Sequence, residues 1–193
     1  MLQQDKMKKL SYNSPVILTF VALSFIALIA NELTHGTSNS LLFTTYHSSL
    51  TSVMTYVRFF THVLGHSSWA HYTGNMVYIL LLGPLLEEKY KSLRMIEVIA
   101  ATALTTGLVN YFFFPSVVLC GASGVCFAFI LLSSFTSFRK KEIPLTFILV
   151  AVFFIGQQII DGIMIVDNIS NLSHIIGGII GAVFGFYITK RVK

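Results

Sequence analysis

The chain has 193 residues, 54% of them hydrophobic and only 11% charged, with a mean hydropathy of +0.75, a balance that excludes a large soluble domain and describes a membrane protein. The net charge of +5 and pI of 9.3 would suit a nucleic-acid binder, but the basic residues sit beside apolar stretches and form no solvated stripe, so no nucleic-acid partner is expected.

Residues 1–14 read as a short cytosolic tail carrying Lys6, Lys8 and Lys9. No small-residue cleavage site follows, so the apolar run 15–30 is predicted to be the first membrane span and not a signal peptide. A longer connection, 31–70, ends in an apolar run with one cation, Arg58, and is expected to lie partly in the membrane interface. Further spans are predicted at 71–86, 96–114, 123–138, 143–160 and 169–189, joined by short connections. With the N-terminus inside, six spans place Lys6, Lys8, Lys9, Lys89, Lys91, Arg94, Arg139, Lys140, Lys141, Lys190, Arg191 and Lys193 in the cytosol. That is twelve of the thirteen cations, as the positive-inside rule requires, and both termini are then cytosolic. Cys120 and Cys126 flank the start of the fourth span, too close together for a disulfide framework, and packing is their expected role. Without repeats or low-complexity tracts, 15–193 reads as one all-α membrane domain.

The fourth span is short. Sixteen residues make roughly 24 Å of helix against a hydrocarbon thickness of roughly 30 Å, so its outer end is expected below the membrane surface. Residues 115–122 must then descend as non-helical backbone, which is tolerated at that depth only where protein or a water-filled cavity surrounds it. A wet pocket at Ser123 is the consequence. Ser123 lies 16 residues from Arg139, His174 lies 16 from Lys190, and His71 and Asn75 lie 18 and 14 from Lys89, so all four are expected at one depth.

Ser123, in Gly121-Ala122-Ser123-Gly124, and His174 supply the minimum for acyl transfer: the imidazole takes the hydroxyl proton as the oxygen attacks a carbonyl, then returns it to the leaving amine. A lone intramembrane serine is ordinarily a small packing residue, and a lone histidine can be a helix-packing donor; it is their shared depth that pairs them. Gly177, Gly181 and Gly185 follow His174 on one helix face, and Gly124 with Ala128 forms a matching strip beside Ser123 and Phe127. His71 and Asn75 are four apart, where both can point at a developing oxyanion. His62 and His66 have the spacing of a metal pair, but no intervening acid accompanies them, and no metal is expected. His35 and His47 read as loop residues. Asp161 and Asp167 precede His174, with helix-end solvation as their expected role, which leaves a dyad and no triad acid.

These residues together resemble the rhomboid family of intramembrane serine proteases along essentially the whole chain from the first span onward, in its minimal six-span form. Gly121-Ala-Ser123-Gly124 is similar to the family's nucleophile motif, His174-x-x-Gly177-x-x-x-Gly181 to its base motif and His71-x-x-x-Asn75 to its oxyanion motif. Arg58, the run 60–66 ending in His66, and Glu87 resemble positions with structural roles. Val57 stands where the family often has Trp, and Phe127 where many members have a Tyr packed on the base. The resemblance implies a cofactor-free protease of a plasma membrane, its site opening to the non-cytosolic side. Ser123 would be the nucleophile, His174 the base, and the Ser123 N–H with His71 and Asn75 the oxyanion donors. Its substrates would be transmembrane proteins cut in or beside a span. The rival reading is a non-catalytic rhomboid-like protein that binds client transmembrane helices; the retained Ser123 and His174 argue against it. No inverted repeat or charged coupling site supports a transporter.

Overall fold

The computed structural model describes residues 11–135, 145–146, 148–153, 156 and 168–191. Among these residues the regular elements are helices: α1 (Pro15–Leu33), α2 (Val53–Thr61), α3 (Trp69–Tyr90), α4 (Ser92–Phe113), α5 (Ser123–Ser134) and α6 (Asn168–Arg191), with a π-helical turn at Asn39–Phe43. Spans one, two, three and six of the sequence reading fall on α1, α3, α4 and α6, with no end displaced by more than four residues. Most of the predicted fifth span, 143–160, lies outside the described residues; its described part is helical. Asp161 and Asp167 also lie outside them.

The α-helix of the fourth span is shorter than the predicted run, whose last residues, 136–138, lie outside the described residues. The α-helix ends at Ser134 with Phe135 as its C-cap, four residues before the predicted end, so α5 is only about 18 Å long. Its start at Ser123 is as predicted, and so is the non-helical approach to it. That approach is enclosed by protein: Thr45 and Leu119 exchange backbone hydrogen bonds of 2.9 and 2.8 Å, Gly121 N–H donates to His62 O at 2.9 Å, and Asn110 Nδ2 donates to Val117 O at 3.1 Å. Each bond satisfies a backbone group that lipid could not.

Helix starts are fixed by particular side chains. Pro15 opens α1, where its missing N–H costs nothing. The next two donors, Val16 N–H and Ile17 N–H, each reach an oxygen of the buried Glu87 carboxylate at 3.1 Å, and Ser92 Oγ donates to the same carboxylate at 2.7 Å. One acid near the end of α3 thus caps α1 and ties down the α3–α4 turn, where a negative charge also suits the positive end of the α1 dipole. Ser68 caps α3, its hydroxyl accepting from His71 N–H at 3.2 Å.

Ile17, Phe20, Met76, Ile79, Met95, Val98, Val125 and Phe129 meet in the interior. The outside is equally apolar: Ile26, Leu81, Leu85, Phe113, Ile179 and Val183 are exposed on the long helices, a surface that only an apolar solvent would cover. α1 and α4 are long and apolar enough to cross a membrane. On α2, Val53, Met54, Tyr56 and Phe60 are exposed while Arg58 is buried, which gives the predicted interfacial run a helical, one-sided form. Arg58 Nη1 donates to Tyr46 Oη and Nη2 to Ser48 Oγ, both at 2.9 Å, with its guanidinium 4.3 Å from the Tyr46 ring centroid. It organises the α1–α2 connection, with Val57 standing beside it.

The α5–α6 seam is where backbones come closest. A Cβ on Gly177 would strike the carbonyl oxygen of Gly124, and one on Gly181 the carbonyl oxygen of Ala128. The two small-residue strips read from the sequence therefore interlock in register, Gly177 on Gly124 and Gly181 on Ala128.

Candidate active site

The seam sets the position of Ser123 and His174. A Cβ on Gly124 would fall 3.4 Å from the carbonyl oxygen of Ser173, so the residue after Ser123 lies against the residue before His174. One turn along α5 from Ser123, the Phe127 ring packs on the His174 imidazole with centroids 4.3 Å apart and planes tilted by 43°. Phe127 makes the aromatic contact that the resemblance implies for this position. Ser123 is half-buried at the first position of α5, where its backbone N–H has no intrahelical acceptor and adds to the positive end of the helix dipole.

The glycine loop brings the second span to the same place. Gly121 has φ +134, a conformation that L side chains rarely adopt, and a Cβ there would fall 2.7 Å from both Cε1 and Nε2 of His71 and 3.8 Å from Nδ2 of Asn75. Glycine is required twice over, by the backbone angle and by the ring lying against it. His71 and Asn75 of α3 thus lie against the loop that leads into Ser123, and the first turns of α5 lie against Ser173 and His174 of α6.

His66 and its neighbours form the floor. The ring is fully buried; Nδ1 bonds the Leu64 carbonyl at 3.1 Å, and Nε2 lies 3.1 Å from Asn75 Nδ2. A carbonyl only accepts, so the His66 proton is on Nδ1 and Nε2 accepts from the Asn75 amide. Burial pushes the His66 pKa down to about 4, the neighbouring His71 adds to this, and the Leu64 carbonyl opposes it, so the ring is neutral at physiological pH. His62 is likewise pushed down to about 4 by burial, against the opposing bond to Ala103 O at 3.0 Å. The i,i+4 pair of the sequence therefore diverges, His62 toward α4 and His66 toward α3 and Asn75. Among the described residues, no group of three His, Cys, Asp or Glu side chains is arranged to hold a metal ion. His35 and His47 are loop residues, the latter stacked on Tyr111 at 4.7 Å.

Three polar contacts had gone unread. Ser67 Oγ bonds His71 Nδ1 at 3.2 Å and leaves Nε2 facing the glycine loop. Ser68 caps α3 directly before His71; a serine three residues ahead of a helical histidine was the readable signal. Cys126 Sγ lies 3.4 Å from the Asn75 carbonyl oxygen and 3.6 Å from Asn75 Oδ1, a contact between helices that no local pattern announces.

The Rhomboid domain family matches residues 53–191, from the start of α2 to the end of α6. The chain is also similar to Rhomboid-related protein 1 of Caenorhabditis elegans, 28% identical over 144 residues. The match covers 70% of this chain and 40% of that protein, so the chain spans less than half the relative's length.

Proposed function

The chain belongs to the rhomboid family of polytopic helical membrane proteins, and from that membership we propose that it is a cofactor-free serine endopeptidase that hydrolyses peptide bonds in or beside the transmembrane segments of other proteins. One observation carries this reading: at the start of α5, Gly124 lies against Ser173 of α6, and Gly121 lies against His71 of α3.

In this reading Ser123 Oγ attacks the scissile carbonyl as His174 removes its proton. The negative charge that gathers on the carbonyl oxygen is met by the Ser123 N–H at the α5 terminus, by His71 Nε2 and by Asn75 Nδ2, donors already in place before the charge develops. His174 returns the proton to the leaving amine; water, entering by the glycine loop, then takes the place of that amine and releases the acyl group from Ser123. Six spans, cytosolic termini and a site opening to the non-cytosolic side complete the proposal, with transmembrane proteins as substrates and the plasma membrane as its location. The substrate helix must unwind locally, since a hydrogen-bonded helical peptide offers no accessible carbonyl.

Proteoliposomes holding the protein and a single-span substrate test the reading. The wild type cuts the substrate, and Ser123→Ala and His174→Ala do not. A folded wild type that binds the substrate helix without cutting it would instead make this a client-binding member of the family.

A further inference from the structure

We propose that Cys126 and His66 are positioning residues that hold the Asn75 carboxamide with its nitrogen, and not its oxygen, toward the Gly121 loop. The proposal rests on the oxyanion role given to Asn75 above. A carboxamide is nearly symmetric in shape but opposite in chemistry at its two ends: nitrogen donates and oxygen only accepts. In the wrong orientation Asn75 would present lone pairs to a developing negative charge and oppose the reaction.

Two buried partners select the same orientation independently. His66 Nδ1 is committed to the Leu64 carbonyl, so Nε2 is an acceptor and requires an N–H from Asn75, found at 3.1 Å. On the other side the Cys126 thiol, a donor shared between the Asn75 backbone carbonyl oxygen at 3.4 Å and Asn75 Oδ1 at 3.6 Å, sits against the oxygen end of the carboxamide. Reversing the amide would face nitrogen against a donor and oxygen against an acceptor lone pair. Neither loss is made good by water, since His66 is 0% exposed and Cys126 3%. With one N–H given to His66, the second N–H of the same nitrogen remains for the loop, 3.8 Å from where a Gly121 Cβ would stand. Cys126 is three residues beyond Ser123 on α5, so the helix that carries the proposed nucleophile also sets the proposed donor. Burial, which keeps His66 neutral, keeps it an acceptor.

Cleavage kinetics in proteoliposomes and the infrared S–H band of Cys126, read in Cys120→Ala protein, test this together. Cys126→Ala should lower kcat about 10-fold at unchanged KM, less than the roughly 10²–10³ expected for removing a donor outright. Cys126→Ser should restore the rate, because its hydroxyl donates to the same oxygen. His66→Phe should lower kcat likewise. Neither Cys126→Ala nor His66→Phe should cost anything further in Asn75→Ala, where no carboxamide is left to orient. The S–H band, set in the wild type by two acceptors, should shift and narrow in Asn75→Ala as the thiol keeps only the backbone carbonyl oxygen of residue 75. Unchanged kcat in Cys126→Ala, equal losses with and without Asn75, or an unmoved S–H band each overturns the positioning role. An inert wild type whose S–H band still responds to Asn75→Ala would remove the proteolytic reading and leave the clamp itself standing.

Discussion

Ser123→Ala and His174→Ala each remove chemistry without creating a new buried charge. Both should abolish cleavage and leave the detergent unfolding midpoint close to the wild-type value, since neutral serine is a weak nucleophile without its base. A midpoint lowered in parallel with activity would make these residues structural instead. His62 offers an independent check by pH. Its folded pKa of about 4 lies below the ordinary 6.5, so its contribution to stability is fully present above pH 6.5 and is lost as pH falls toward 4. The shift corresponds to about 3 kcal/mol, with His66 acting in the same direction. Unfolding midpoints measured between pH 7 and pH 4 should fall in acid, and His62→Gln should flatten the curve. At this scale Ser123, His174, His71 and Asn75 stood out in the sequence because polar side chains are costly in lipid and their spacing from the basic residues set one expected depth. Cys126 and Ser67 were not: a small apolar thiol among apolar residues and a serine before a helix carry no sign of their partners.

The seam between α5 and α6 makes a sharp demand on side-chain size. Gly177→Ala and Gly181→Ala would each drive a methyl group into a backbone carbonyl oxygen, which a side-chain rotation cannot relieve. Each should destabilise by about 3 kcal/mol or more, at the upper end of overpacking, and lower activity with it. Gly74→Ala is the control, because a Cβ there has nothing within 4 Å, and it should leave the unfolding midpoint unchanged or raise it. Glu87→Ala should cost about 2–3 kcal/mol by leaving the first donors of α1 unpaired, again read as unfolding in detergent. Helix positions were readable from hydropathy to within a few residues, and the two small strips from their spacing, though not the register in which they meet. The end of α5 was not, because the apolar run continues past Ser134 and composition alone carries no stop signal.

Across the whole molecule, the α1–α2 connection, the glycine approach and three helices meet near the start of α5. The segment after Phe113 can leave helical geometry because Thr45, His62 and Asn110 supply its backbone partners. The need for that enclosure followed from the short fourth span; which residues would provide it did not, since Thr45 and His62 come from far earlier in the chain than the Leu119 and Gly121 they bond. The proposed topology, with twelve of the thirteen cations on one side, would be read by cysteine labelling from either face of sealed vesicles. The central claim is that Ser123 is a nucleophile activated by His174. It is tested most directly by treating the membrane-reconstituted protein with a serine-reactive fluorophosphonate and mapping the adduct by peptide mass spectrometry. The account predicts a phosphonyl group on Ser123 in the wild type and none in His174→Ala. A folded wild type without the adduct, an adduct on another serine, or labelling of Ser123 that survives loss of His174 would contradict it.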